Sequence, residues 1–332
     1  MSPLRTPLSY VQEIQRKKVQ KKWFSSSDLE ECRCPLCDSN SPSIIYTERE
    51  LIRVVRCNRC QLIYVNPRLK HPEEVYYGRE ESYLKEVRLI LEGKATAHRD
   101  PNYEEHLRVI ARFKPCGRFL DVGTNMGLFL RHAIGKGWEL FGVEPSPTLS
   151  KVAREQFQLN VKTAFLEEAE FPSEFFDVVC LTDVFEHIKE PRKLLSEIYR
   201  ILARGGIVYI NVPNGRFNLF KLRLAKLFRR TQDYDLFDSY EHVVHYTHET
   251  LVRMLESCGF HTKTVCMGLP IQIPVWHLYV GDYYQYPSPW VLDPLRQTLR
   301  ILFHRLSRIE YYLRGRRVGH LAPNITIVAE KR

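Results

Sequence analysis

At 332 residues the chain is long enough for one full α/β domain with appendages, and its 44% hydrophobic content excludes a disordered or fibrous protein. No apolar run reaches the length of a membrane span, and Met1 to Lys22 carries charges throughout, without the apolar core of a secretory signal. Lys and Arg outnumber Asp and Glu by 49 to 39, a net charge of +10, and nine cysteines, Cys180 and Cys266 among them inside predicted strands, indicate a reducing compartment rather than a disulfide scaffold. The expectation is a cytoplasmic protein.

Residues 1–27 read as a basic arm, with Arg16-Lys-Lys18 and Lys21-Lys22 as its charged cluster. Cys34-Pro-Leu-Cys37 and Cys57-Asn-Arg-Cys60 follow as paired C-x-x-C knuckles, and the stretches Ile44 to Tyr46 and Ile52 to Arg56 between them can form a hairpin. Four thiolates so placed complete a tetrahedral zinc site with no open coordination position, which is structural and not catalytic. Cys32 is a fifth cysteine close by, and spacing alone leaves it open as a ligand. Leu62 to Leu69 exits as a strand stopped by Pro67, giving a zinc ribbon over 28–69 and then a helical linker over 70–106.

The apolar approach of Phe119, Leu120 and Val122 reads as a buried strand. It enters a turn at Asp121-Val-Gly123-Thr-Asn125-Met-Gly127, a helix begins at Leu128, and a second strand, Leu140 to Val143, ends on Glu144. That order is a nucleoside-binding βαβ unit, in which glycines let the backbone approach the ligand and the acid accepts from ribose hydroxyls. An acid inside the turn, Asp121, repels phosphate and suits a cationic ligand. Phe176 to Asp183 is a further buried strand, Pro191 to Leu202 an amphipathic helix, Arg204-Gly-Gly206 a turn and Ile207 to Val212 another strand. Strands alternating with helices predict a Rossmann-like, doubly wound, mostly parallel sheet with ligands at the carboxyl ends of its strands.

The turn resembles motif I of the class I S-adenosylmethionine (SAM) methyltransferases, with Asn125 where that family usually has glycine. Asp177 to Ile188 resembles the D-x-h-x-x-x-x-V-h-E-H block of the ubiquinone-type O-methyltransferases, and Tyr246 to Phe260 their penultimate helix. The ribbon is similar to the amino-terminal module that precedes many bacterial methyltransferases of sugar and surface-glycan pathways. The resemblance covers roughly 107–267 plus the final strand from Asn324, and makes 107–332 the catalytic domain. It implies SAM held by Asp121, Gly123, Asn125, Gly127, Glu144 and Asp183. The family's third strand ends in an acid reaching adenine; Phe165 and Leu166 stand there instead, which implies apolar contact with Leu166. His187, following the strand that faces the methyl group, is the first candidate base, with His242 and His245 next.

Two insertions carry basic helices. In 215–241, the lid position, Phe217, Phe220, Leu224 and Leu227 recur at helical spacing among Lys221, Arg223, Lys226, Arg229 and Arg230. In 268–323, Leu295, Leu299, Leu302, Leu306, Ile309 and Leu313 form a stripe beside Arg296, Arg300, Arg305, Arg308 and Arg314, after an aromatic group from Trp276 to Trp290. Each stripe fits packing on the domain, an anionic membrane surface, or, less well, nucleic acid. The expected function is methyl transfer from SAM to a small-molecule, sugar or lipid-linked glycan acceptor, in the cytoplasm or peripheral on the cytoplasmic face of a membrane. The alternatives are an RNA methyltransferase gripping with ribbon and basic faces, or a non-catalytic SAM-binding protein. Against RNA stands Val212-Pro-Asn-Gly, which lacks the aromatic residue of an N-P-P-Y tetrapeptide.

Overall fold

A two-residue strand, β1 (Leu29–Glu30), leads into the expected hairpin: β2 (Pro42–Glu48) pairs antiparallel with β3 (Ile52–Cys57). β4 (Ile63–Val65), buried throughout, adds antiparallel to β3, and β5 (Arg68–Leu69) turns back onto β1. The computed structural model describes residues 24–48, 51–73, 80–93, 99–227, 236–268 and 292–332. The Arg16–Lys22 cluster, Arg229, Arg230, the Trp276–Trp290 aromatic group and the side chains of Leu295, Arg296, Leu299 and Arg300 lie outside the described residues.

Two helices follow, α1 (Glu80–Leu91) and α2 (Asp100–Ala111). The second crosses the boundary expected at 107. Pro101 sits in its first turn, where no N–H is needed, and Leu107 and Ile110 bury against Phe119 and Phe129 of the next domain. The sheet is then laid down by β6 (Gly117–Val122), α3 (Leu128–Ala133), β7 (Trp138–Val143), α4 (Pro147–Phe157), β8 (Asn160–Lys162), β9 (Phe176–Thr182), α5 (Pro191–Ile201) and β10 (Leu202–Pro213). The Arg204–Gly206 turn is absorbed into β10 as an irregularity in its register with β9 between Leu202 and Ile207. After α6 (Gly215–Leu227) come a two-residue strand, β11 (Val244–His245), then α7 (His248–Glu256), β12 (Phe260–Met267), α8 (Leu292–Leu313) and β13 (Asn324–Lys331).

Seven strands form one sheet in the order β12-β13-β10-β9-β6-β7-β8, with β13 antiparallel to both neighbours and the other central pairs parallel. The middle strands, buried on both faces, are continuous apolar runs such as Val178 to Leu181, as expected where helices cover each side. α5 shows why: Leu194, Leu195, Ile198 and Ile201 recur at helical spacing and face the sheet. Register brings the carboxyl ends into line. Asp121 lies opposite Gly142 and Cys180, so Glu144, Asp183 and Asn214 all leave the sheet at the same edge.

A second sheet joins the two parts of the molecule. Its order is β11-β4-β3-β2, so a strand from the segment after α6 completes the ribbon. One apolar core accordingly runs from Cys34, Val55, Leu62 and Tyr64 through Val244 and Tyr246 to Leu251 and Met254 of α7.

Candidate active site

Three residues with positive φ shape the turn after β6: Gly123 (69°), Asn125 (52°) and Gly127 (82°). A Cβ on Gly123 would meet a Val184 methyl at 2.7 Å and one on Gly127 would meet Leu159 at 2.5 Å, so space and φ both demand glycine there. Asn125 takes the left-handed conformation that a short polar side chain tolerates, and its Oδ1 accepts the Met126 N–H at 2.6 Å. Glu144 braces the turn from the neighbouring strand. Its two oxygens accept the N–H groups of Asn125 and Ser146, each at 2.9 Å. Ser146 in turn caps α4 and donates its hydroxyl to Glu80 of α1, which packs over this edge with Tyr83 and Val87 against Leu149.

Asp121 is 2% exposed, and its Oδ1 has no hydrogen-bond partner among the described residues. Burial, reinforced by the nearby Glu144 charge, raises its carboxyl from 3.8 to about 7. A buried acid left in this condition is costly, and a cation placed at the turn would satisfy it. Leu166 is buried in the core, while Phe165 beside it remains half exposed.

Asp183, also at positive φ, pairs with Arg99, which approaches from the residue before α2. The next turn holds Glu186, 2% exposed, with neither carboxylate oxygen hydrogen-bonded among the described residues. Burial lifts this carboxyl to about 8. His187 Nδ1 lies 3.0 Å from the Glu241 carbonyl oxygen; only a protonated nitrogen can make that bond, which assigns the lone pair of the neutral ring to Nε2. His242 packs edge-on against His187 with ring centroids 4.7 Å apart, and its Nε2 is 4.0 Å from Glu186 Oε1. Donor atoms of Glu186, His187 and His242 lie within 4.8 Å of one another, a set able to hold a divalent cation.

The structure thus brings His187 and His242 together, and places His245 elsewhere. Its ring meets Phe237 at 5.1 Å, and burial presses it down to about 3, so it stays neutral. Asn214 is occupied by structure: Nδ2 donates to the carbonyls of Gly319 and Ala322, and Oδ1 accepts from Arg216 at the start of α6. Sequence reasoning passed over Arg99, Glu186 and Glu241. Only Glu186 left a signal there, an acid directly before His187 in the turn that follows a buried strand.

On the ribbon, Cys34 Sγ lies 3.4 Å from Cys60 Sγ and Cys37 Sγ 3.5 Å from Cys57 Sγ, and all four thiols fall within 4.8 Å of one another. A tetrahedron of zinc–sulfur bonds near 2.3 Å has edges of about 3.8 Å, so this donor set fits zinc. Against the penalty of burial, the N–H groups of Cys60 and Arg59 and the Cys37 thiol hold Cys57 down to about 7. Cys32 is outside the group, with its thiol directed to the Val65 carbonyl at 3.6 Å.

Comparison with known proteins adds a family. Residues 96–265 match the family described as a methyltransferase domain. An uncharacterised protein of Methanocaldococcus jannaschii is 31% identical over 110 residues, 33% of this chain and 51% of that protein's length. The ubiquinone biosynthesis O-methyltransferase of Pasteurella multocida is 24% identical over 168 residues, covering 43% of this chain and 69% of its own. Among solved structures, a SAM-dependent methyltransferase of Thermotoga maritima aligns with a TM-score of 0.46 at 18% identity, over 76% of this chain and 97% of that one.

Proposed function

The chain belongs to the methyltransferase-domain family of class I, SAM-dependent enzymes, and from that premise we propose the reaction: transfer of the SAM methyl group to a hydroxyl of a lipophilic small-molecule or lipid-linked acceptor. The observation that carries it is the buried Asp121, whose Oδ1 has no hydrogen-bond partner among the described residues, beside Glu144 on a glycine turn. SAM fits this arrangement, since its cationic methionine end would satisfy Asp121 and its ribose hydroxyls would donate to Glu144. Gly123, Asn125 and Gly127 supply the close backbone approach, Asp183 and Arg99 border the methionine end, and Leu166 with Phe165 borders adenine. SAM supplies an electrophilic methyl on a sulfonium; the protein's task is to align the acceptor oxygen in line and to remove its proton.

His187 is the proposed base, because its bond to the Glu241 carbonyl orients Nε2 as acceptor. His242 flanks it, and burial raises the Glu186 carboxyl, which favours its protonated form. The name of the Pasteurella relative suggests a hydroxyl acceptor. The lipophilic character comes from α6, which starts one residue beyond Asn214 and continues into an exposed apolar face with α8. An RNA acceptor has only the ribbon and the basic charge in its favour. Zinc on Cys34, Cys37, Cys57 and Cys60 is proposed as structural.

Titration calorimetry tests the donor site. The intact protein should bind SAM, and Glu144→Ala should weaken it by roughly 1.5–3 kcal/mol, the range for a hydrogen bond to a charged group. Absence of SAM binding would reject the assignment, and unchanged affinity in the variant would move the ribose contact to another residue.

A further inference from the structure

The segment 236–246 is held between the ribbon and the proposed base. On the ribbon side, the buried Glu48 carboxylate at the end of β2 accepts the N–H groups of Phe237 at 2.7 Å and Ser239 at 2.9 Å. The Val65 N–H donates to the Val243 carbonyl at 3.0 Å, and β11 pairs with β4 through Val244 opposite Tyr64 and His245 opposite Ile63. On the other side, the Glu241 carbonyl accepts from His187 and the His242 ring lies against it. The turn between β3 and β4 is the knuckle Cys57 to Cys60 itself. A metal on the thiols would therefore fix the two strands whose edge carries β11.

We propose that the ribbon is a scaffold for the acceptor side of the active site, with Glu48 as the positioning residue that transmits its order to Glu241 and His242. The proposal rests on the reading of His187 as the base and of the four thiols as a zinc site. It assigns the ribbon a role inside the catalytic unit rather than that of a separate binding module. The links are strand pairing, a buried carboxylate and the contacts of the His187 ring: a carboxylate that accepts two N–H groups anchors them strongly, and removing it leaves both donors buried without that partner. The SAM turn takes no part in this chain of contacts. Its bracing comes from Glu144, Ser146 and α1, on the far side of β6. Metal loss or Glu48 loss should thus loosen the acceptor side and spare the donor side.

The experiment compares the full-length wild type with Glu48→Ala and Glu48→Gln, and with wild type stripped of metal by a chelator. Hydrogen exchange of the 236–246 peptide, zinc content, and SAM affinity by calorimetry are measured on each. In Glu48→Ala, exchange at Phe237 and Ser239 should accelerate roughly tenfold or more, as expected for loss of a charge-assisted bond, and the effect should extend to Glu241 through Val243. Zinc content and SAM affinity should stay at wild-type values. Glu48→Gln, which keeps one acceptor oxygen, should fall between, and metal-stripped wild type should exchange like Glu48→Ala. Unchanged exchange in Glu48→Ala, or SAM affinity falling in parallel with faster exchange, would overturn the proposal. If the wild type holds no zinc, the zinc reading fails while the Glu48 variants still decide the coupling. If it binds no SAM, the donor-site reading fails and exchange again decides.

Discussion

Asp121 combines two properties that pull in opposite directions in the ligand-free protein. Its position at the end of β6 demands burial, and burial holds its proton to about 7. A carboxyl raised in this way contributes stability that is fully present below its ordinary value of 3.8 and is lost as pH rises through about 7, because the unfolded chain ionises more readily. A cationic ligand reverses the preference by favouring the carboxylate. SAM affinity should therefore rise with pH through about 7, with a proton released on binding below that value. Calorimetry in two buffers of different ionisation enthalpy reads the proton directly, and Asp121→Asn should abolish both the release and the pH dependence. Wild-type affinity that stays flat between pH 6 and 8, on either side of that carboxyl's value, would place the cationic end of SAM elsewhere.

The βαβ units could be read from the chain because each is local: an apolar run, a glycine turn and a 3.6-residue stripe lie within a few tens of residues, and their ends fall where the periodicity changes. The pairing of β11 with β4 could not, since a two-residue strand has no periodicity and its partner is remote in sequence. Nor does an amphipathic pattern say which side faces in. α8 illustrates this: Ser307 is buried, Tyr311 donates to the Val265 carbonyl at 3.1 Å, and Glu310 accepts the N–H groups of His320 and Leu321. Its stripe faces outward instead, with Leu302 and Leu306 50% and 42% exposed and Ile309 and Leu313 more so. Phe303 meets Phe217 and Phe220, which joins this surface to exposed Leu224 and Leu227 of α6. Arg305, Arg308 and Lys226 accompany it, and no helix among the described residues is long and apolar enough to cross a membrane. Such a face suits an anionic bilayer surface, where each basic group adds about 1 kcal/mol and salt weakens the attraction. The protein should co-sediment with vesicles rich in phosphatidylserine at low salt and be released by added salt. Replacing Leu302 and Leu306 by Ser should leave stability within about 0.5 kcal/mol, as for exposed sites, while vesicle binding falls. A large loss of stability would mean that the stripe is packed in solution.

The division at residues 28–69 and 107–332 follows the cysteine knuckles and the methyltransferase resemblance, yet burial crosses it. Cys34, Leu36, Cys57, Cys60 and Leu62 belong to the same apolar core as Leu251, Met254 and Leu255. Polar ties run the same way: Arg253 donates to the Cys60 carbonyl, Arg192 to the Leu36 carbonyl at 3.2 Å, and Arg68 to the Lys189 carbonyl at 3.0 Å. Both sides of this contact would lose buried partners if the ribbon opened alone, so opening the ribbon exposes the catalytic core as well. A ligand that binds only the folded state raises stability in proportion to the logarithm of its concentration over its dissociation constant. Zinc bound by the four thiols should therefore stabilise the whole unit rather than the ribbon alone. In scanning calorimetry the zinc-loaded protein should unfold in a single transition, and chelation should move that transition to lower temperature without splitting it. Cys37→Ser should contain no zinc and melt with the chelated protein, whereas Cys32→Ser should retain one equivalent and the wild-type transition. Two separate transitions, with only the smaller one responding to chelator, would show instead that ribbon and catalytic domain fold independently.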